Sequence, residues 1–197
     1  MNQEQEQEQR NAAMTIGVLG TGDIAVALAT MFARAGHEVR TGGRHEEVVA
    51  ASSVVIPAVL GVPGAVQQLR PWRGELRGKI LVDITNPFTG GHVDFVGPWA
   101  TGGTTDLAAA FPEARLVGAF KNVWWEGFDG TPDPSVPEIH VISDDLAAKR
   151  TFLGLCAATP FTYVDGGGLD LARRVERMAL RGVGSAGVFA EAHAAAV

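Results

Sequence analysis

The sequence is poor in cysteine, in basic charge and in long apolar runs, and each shortage excludes a class of protein. The single cysteine, Cys156, rules out an internal disulfide and a zinc site built from CxxC pairs. A formal net charge of -6 argues against nucleic acid and anionic membranes as partners. Asp23 and Arg34 interrupt the best apolar run before it reaches the roughly 18 residues of a membrane span.

The N-terminal segment 1–13 is polar and of low complexity, which predicts a disordered tail. It lacks the charged-then-apolar order of a signal peptide, so a cytoplasmic location is the default expectation. Cys156 lies in the apolar run TFLGLCAA, which favours a core thiol over a nucleophile.

From Thr15 onward, short β-rich runs alternate with helical ones, and this pattern predicts an α/β fold with a mostly parallel sheet. We therefore expect a Rossmann-type, doubly wound domain over residues 14–165. The predicted strands are TIGVLG, HEVRTG, SVVIPAV, KILVDIT, ARLVGAF, EIHVISD and FTYVD. The predicted helices are DIAVALATMFARAG, GAVQQL, TDLAAAF and DDLAAKRTFLGLCAA.

Residues 166–197 contain no strand pattern and are predicted to form a long or broken C-terminal helix. Its apolar residues fall on one face, which either the domain's own sheet or a second subunit could cover. We expect a homodimer, with intramolecular packing as the alternative. The face consists of Leu169, Ala172, Val175, Ala179 and Leu180.

A GxGxxA motif, GTGDIA, directly follows the first strand and opens the first helix. In such a turn the first glycine permits the bend, and the second lets the backbone approach a pyrophosphate at the helix N-terminus. The motif therefore predicts a dinucleotide site, and a turn without a ligand is the alternative. Its candidate residues are Gly20, Thr21, Gly22, Asp23 and Ile24.

The tip of the second strand carries arginine where NAD-binding proteins usually carry an acid about 20 residues beyond the turn. Since a guanidinium can form paired bonds to phosphate, NADP is the better prediction, with Arg44 as the main 2'-phosphate ligand. Thr41 and His45 are weaker candidates. A solvated surface arginine is the alternative, and Glu46 and Glu47 would be unfavourable neighbours for a phosphate.

Four segments together carry a family resemblance: VLGTGDIAVALATMFARAGHEVRTGGR, VDITNPF, VGAFKNVWW and YVDGGGLDLARRVERMA. From about Thr15 to the C-terminus, the chain resembles the coenzyme F420-dependent NADP oxidoreductase family. The resemblance implies NADP(H) binding on a Rossmann domain and hydride exchange with a deazaflavin. More distant relatives, such as pyrroline-carboxylate reductases and membrane ferric reductases, use other acceptors.

The resemblance also implies that the ends of the third and fourth strands lie beside the nicotinamide. It assigns Pro57, Ala58, Val59, Asn86 and Pro87 to the cofactor site.

Two features depart from the family pattern. Val48 lies at a position where family members commonly carry a lysine, which predicts weaker binding of the 2'-phosphate. Between Arg44 and SVVIPAV, HEEVVAAS replaces a full helix and strand. We expect this loss to remove an edge strand on the adenine side.

Hydride transfer between two cofactors needs positioning more than a catalytic side chain, whereas a ketone or imine acceptor would benefit from a hydrogen-bond donor. Lys121 and Asn122 are the candidate catalytic residues, and a surface lysine is the alternative reading of Lys121. The first alternative to a deazaflavin-dependent reductase is an NADPH-dependent reductase of a small ketone or imine. The second alternative is a non-catalytic dinucleotide sensor. The candidate substrate-binding residues are Phe88, Trp124, Trp125 and Arg173, although Arg173 could instead form an ordinary helix ion pair with Glu176.

Overall fold

Seven strands form at the seven runs that the sequence predicts. The computed structural model describes residues 14–42, 44–59, 61–87, 102–123 and 138–182. The strands are β1 (Thr15–Leu19), β2 (Glu38–Gly42), β3 (Val54–Pro57), β4 (Ile80–Asp83), β5 (Arg115–Gly118), β6 (Ile139–Val141) and β7 (Tyr163–Asp165).

The main sheet is parallel and has the strand order β2-β1-β3-β4-β5. The chain steps from β1 to one side and then continues on the other side through β3, β4 and β5. This reversal places a topological switch point at the carboxyl end of β1, where open α/β sheets bind their ligands. Strands β6 and β7 form a small parallel sheet, which an antiparallel bridge from Gly118 to Ile142 connects to the main sheet. The predicted α/β fold is confirmed.

Helices cover both faces of the main sheet. Alternate side chains of each buried strand face opposite layers, as Val54 and Ile56 on one side and Val55 on the other illustrate. The helices are α1 (Asp23–Arg34), α2 (His45–Ala51), α3 (Val62–Leu69), α4 (Gly103–Ala110), α5 (Leu146–Cys156) and α6 (Ala172–Gly182), with 3-10 turns at Arg70–Trp72 and Leu169–Leu171.

The shortened connection after β2 has the expected effect on the sheet. Strand β3 pairs directly with β1, which leaves β2 as the outermost strand among the described residues. The connection itself is not structureless, because His45–Ala51 folds into α2 and buries Val48 and Val49. The sequence-based expectation assigned no element to this segment.

Four of the five apolar residues of the C-terminal face pack inside the chain, and the Leu180 side chain lies outside the described part. Leu169, Ala172 and Val175 join the hydrophobic cluster beneath α3 and α4, and Ala179 is also buried. Packing within the chain therefore accounts for the burial of these four residues. The homodimer stays a prediction, and this apolar face does not support it.

Cys156 lies at the end of α5 and is fully buried in the core. Burial raises the pKa of its thiol well above the ordinary value, which disfavours the nucleophilic thiolate. The prediction of a core thiol is confirmed.

Candidate functional site

The glycine-rich turn forms an open cradle between β1 and α1. Gly20 has a φ of 134°, a region that favours glycine, and a Cβ atom built on it would lie 3.3 Å from the carbonyl oxygen of Ala58. A Cβ atom on Gly22 would meet no atom of the described residues within 4 Å. The first glycine is thus required by the fold, whereas the second leaves space above the backbone for a ligand.

The N-terminus of α1 carries no side-chain cap. Gly22 is the N-cap residue and has no side-chain oxygen to accept hydrogen bonds from the amides of the first turn. Thr21, Gly22 and Asp23 are exposed, whereas Ile24 is half-buried and Ala25 is buried against the sheet. A phosphate group could satisfy these amides and interact favourably with the helix dipole.

The tip of β2 lies beside this cradle. An isolated bridge pairs Gly20 with Gly42, two residues before Arg44. Arg44 leaves 82% of its side chain exposed and pairs with Glu47, with 2.7 Å between Nη1 and Oε1. Thr41 is also exposed. Arg44 therefore lies within the reach of a ligand, but Glu47 competes for its guanidinium.

The ends of β3 and β4 continue the same edge of the sheet. Pro57 is in register with Leu19, and the amide of Ala58 donates to the Leu19 carbonyl oxygen at 2.9 Å. Val59 and Pro87 are half-buried. The Asn86 amide nitrogen donates to the Lys121 carbonyl oxygen at 3.0 Å, which ties the end of β4 to the turn after β5. The structure thus brings the predicted nicotinamide residues to one edge.

Lys121 lies at the centre of a buried charged cluster, which consists of Asp83, Lys121, Arg173 and Glu176. Its Nζ atom lies 2.7 Å from Oδ2 of Asp83 and 3.4 Å from Oε1 of Glu176, and it also donates to the Thr85 carbonyl oxygen. The Lys121 side chain is 0% exposed, so it is not a surface lysine. Its three N–H donors face three acceptors within the protein.

The two carboxylates of the cluster come from distant parts of the chain. Asp83 ends β4 and accepts hydrogen bonds at Oδ1 from the amide and hydroxyl of Thr85. Glu176 projects from α6 and accepts from the amide of Gly103 at 2.8 Å, at the N-terminus of α4. Burial raises the pKa of Glu176, whereas Lys121 opposes that shift.

The turn before Lys121 holds an unusual backbone conformation. Phe120 has a φ of 56°, the left-handed region that costs a non-glycine residue about 1 kcal/mol or more. Its ring packs edge-on against Phe32, Phe152 and Tyr163 in the core. This packing offsets the strain, and the turn brings Lys121 into the interior.

The remaining predicted residues near the cluster are engaged within the protein. The Asn122 amide nitrogen donates to the Glu138 carbonyl oxygen at 2.7 Å, and its side-chain oxygen accepts from the His140 amide at 3.2 Å. Arg173 is buried, and its Nη1 lies 3.8 Å from Oε2 of Glu176. The predicted helix ion pair exists, but it is internal.

Phe88, Trp124 and Trp125 lie outside the described residues. Sequence reasoning missed Asp83 altogether and considered Glu176 only as a helix partner of Arg173. An acid at the end of a buried strand, as in ILVD, was the available signal for Asp83, because a charge there requires a partner. Nothing local in the sequence connects Glu176 to β4.

In the described part of the chain, no helix is long and apolar enough to cross a membrane. None of the groups of three or more His, Cys, Asp or Glu side chains in that part is arranged to hold a metal ion.

Comparison with known proteins agrees with this geometry. A family model described as "NADP oxidoreductase coenzyme F420-dependent" matches residues 15–62. The F420-dependent NADP reductase of Methanothermobacter thermautotrophicus is 30% identical over 205 residues, which cover 84% of this chain and 86% of that protein. A solved structure from Arthrobacter sp. FB24, provisionally named an F420-dependent NADP reductase, superposes with a TM-score of 0.70 at 25% identity and covers 84% of this chain and 90% of that one.

Metalloreductase STEAP3 of Rattus norvegicus is also 30% identical, over 186 residues and 86% of this chain. The match covers only 37% of that protein, so the chain spans little more than a third of the length of this relative.

Proposed function

Because the chain belongs to the coenzyme F420-dependent NADP oxidoreductase family, we propose that it binds NADP(H) and transfers hydride between this nucleotide and coenzyme F420 or a similar acceptor. The nucleotide would lie along the carboxyl edge of the main sheet. Its pyrophosphate would contact the turn from Gly20 to Ile24, and its nicotinamide would lie near Asn86 and Pro87.

The uncapped N-terminus of α1 is the observation that carries this proposal. A helix start with no side-chain acceptor, open space above Gly22 and an exposed arginine just beyond the neighbouring strand together support the binding of a phosphorylated dinucleotide. Arg44 would bind the 2'-phosphate and give preference for NADP over NAD.

The nicotinamide side of the site supports transfer between two ring systems more than reduction of a ketone or imine. The acceptor ring supplies the atom that takes the hydride, so the protein needs only to orient the two rings and exclude water. Lys121 and Asn122 are occupied by internal partners, which leaves neither free to donate to a small carbonyl substrate. We therefore assign both residues to positioning the ends of β4 and β5.

The test is to mix the purified protein with NADPH and oxidised coenzyme F420 and to follow the loss of deazaflavin absorbance, with NADH in a parallel reaction. The balanced reaction consumes one NADPH and one proton for each deazaflavin reduced. We expect rapid loss with NADPH and little with NADH.

Arg44→Ser is the matched variant for this experiment, because the side chain is 82% exposed and we expect its removal to leave the fold intact. It should reduce the NADPH rate at low nucleotide concentration about tenfold or more and leave the NADH rate unchanged. NADPH binding without any deazaflavin reduction would reject the proposed acceptor and leave the sensor alternative.

A second candidate function is a part in metal reduction, which the similarity to the rat metalloreductase favours. A hydride carries two electrons and a metal ion accepts one, so a flavin would be needed as the intermediate carrier. NADPH-dependent reduction of added flavin, followed by reduction of a ferric chelate, would favour this candidate over the deazaflavin.

A further inference from the structure

In the described part of the chain, the buried charged cluster holds equal numbers of acidic and basic side chains, and it lies next to the proposed nicotinamide site. It contains two carboxylates, Asp83 and Glu176, and two cations, Lys121 and Arg173. Asn86 donates directly to the backbone of Lys121. All four charged side chains are at most 9% exposed, so solvent screens their charges weakly.

The oxidised and reduced nucleotides differ in charge at the same ring. The nicotinamide of NADP+ carries one positive charge, whereas that of NADPH is neutral, and the phosphates are the same in both. A charge near the ring therefore acts on the affinity for NADP+ and has little effect on the affinity for NADPH.

Building on the proposed function, we infer that the net charge of the buried charged cluster sets the relative affinity of the protein for NADP+ and NADPH. Glu176 and Arg173 are the residues that α6 contributes to this balance. Their role is to determine specificity between the two redox forms without contacting the reacting atoms.

Each helix residue can be neutralised by glutamine, which is nearly isosteric with glutamate and shorter than arginine. Glu176→Gln retains an oxygen that accepts from the Gly103 amide, and it leaves the cluster with one excess positive charge. Arg173→Gln has the opposite effect and leaves one excess negative charge. The two variants thus change the charge in opposite directions at two positions three residues apart on α6.

The experiment measures the dissociation constants of NADP+ and NADPH by calorimetry for the wild type and for both variants. We expect the ratio of the NADP+ constant to the NADPH constant to rise in Glu176→Gln and fall in Arg173→Gln. A unit charge within about 10 Å, acting through protein, gives a shift on the order of tenfold. For a two-electron couple, tenfold corresponds to about 30 mV in the potential of the bound nucleotide.

Glu113→Gln is the matched control, because Glu113 forms an exposed ion pair with Arg77 outside the cluster. It should leave the ratio unchanged. Thermal unfolding of each protein verifies that it is folded at the binding temperature, and if one cluster variant fails to fold, the sign of the other still tests the inference.

A purely structural role would weaken both nucleotides together or move the ratio in the same direction in both variants, and either result would overturn the inference. An unchanged ratio in folded variants would do the same while leaving the proposed function intact. Failure of the wild type to bind either nucleotide would instead overturn the proposed function, and this inference with it.

Discussion

The two ends of the carboxyl edge of the sheet are built in opposite ways. At the β1–β2 end, polar groups are exposed to solvent: the N-terminus of α1 has no side-chain cap, and Arg44 pairs with Glu47 at the surface. At the β4–β5 end, the charged groups are buried, and Lys121 contacts three acceptors.

This difference indicates that one end of the edge is suited to binding a ligand and the other to keeping the structure around the ring in place. Exposed hydrogen-bond donors are solvated by water and remain available to a charged ligand. A buried charge has lost its hydration, so it is stable only when charged or hydrogen-bonding partners surround it. The open end is therefore suited to recognising phosphates, and the closed end is suited to fixing the position of a neutral or singly charged ring.

Removal of Lys121 should give the largest effect. Lys121→Met leaves Asp83 and Glu176 buried without their shared cation, and we expect the free energy of unfolding to fall by about 3–5 kcal/mol. Chemical denaturation measures this change.

Arg77→Met is the matched control, because Arg77 forms an exposed ion pair with Glu113 and should lose less than about 1 kcal/mol. Equal losses in the two variants would contradict the contrast between the buried and exposed ends.

Gly22→Asp should separate binding from stability at the open end. Gly22 has φ -80° and ψ 177°, which any residue can adopt, and an Asp there would cap α1 and leave stability unchanged or raise it by a few tenths of a kcal/mol. The Asp side chain would occupy the space for the pyrophosphate, and its negative charge would repel the phosphates. The affinity for NADPH should therefore fall at least about tenfold.

Gly20→Ala provides the comparison for this variant. The φ of 134° at Gly20 disfavours any side chain, so Gly20→Ala should lower stability by about 1–3 kcal/mol. Calorimetry measures the NADPH affinity of the two variants, and thermal unfolding measures their stability. A loss of stability in Gly22→Asp as large as that in Gly20→Ala would reject the assignment of Gly22 to the ligand site.

The closed end should also respond to pH. Burial raises the pKa of Glu176 from its ordinary value of 4.5, so between the two pKa values the folded protein binds a proton that the unfolded chain has released. The free energy of unfolding should therefore fall as pH rises from 4.5 through the raised pKa. Denaturation of wild type and Glu176→Gln from pH 4 to 8 isolates this slope, because Glu176→Gln should lack it.

The smallest effect should come from Glu47. Glu47→Gln releases Arg44 from its surface ion pair and should strengthen NADPH binding about two- to fourfold, the range expected for an exposed pair. NADH affinity should not change. An equal gain for both nucleotides would argue against contact between Arg44 and the 2'-phosphate.

The sequence was sufficient to predict the fold and the open end, because their signals are local. Alternating strands and helices determine the sheet, and Gly20 and Gly22 lie two residues apart in one turn. The same local pattern placed Arg44 at the tip of β2, two residues beyond the bridge between Gly42 and Gly20.

The closed end could not be predicted in this way. Asp83, Lys121 and Glu176 come from three separate elements, and only tertiary packing shows that their charges compensate one another. Lys121 was identified as a candidate catalytic residue. Its burial, which follows the left-handed turn at Phe120, is not what a lysine at the end of a strand suggests. Helix α2 was missed because the segment after Arg44 was interpreted only as the loss of a helix and a strand.

The outermost position of β2 has a consequence for aggregation. An uncovered edge strand offers unpaired backbone groups to other chains, and natural proteins protect such edges with charged side chains. Glu38 and Arg40, which pair at 2.7 Å on this strand, provide that protection, and Val39 is the only large apolar side chain in EVRTG. No other described strand pairs with the outer edge of β2, and the charged composition of this strand disfavours the addition of a strand from another chain.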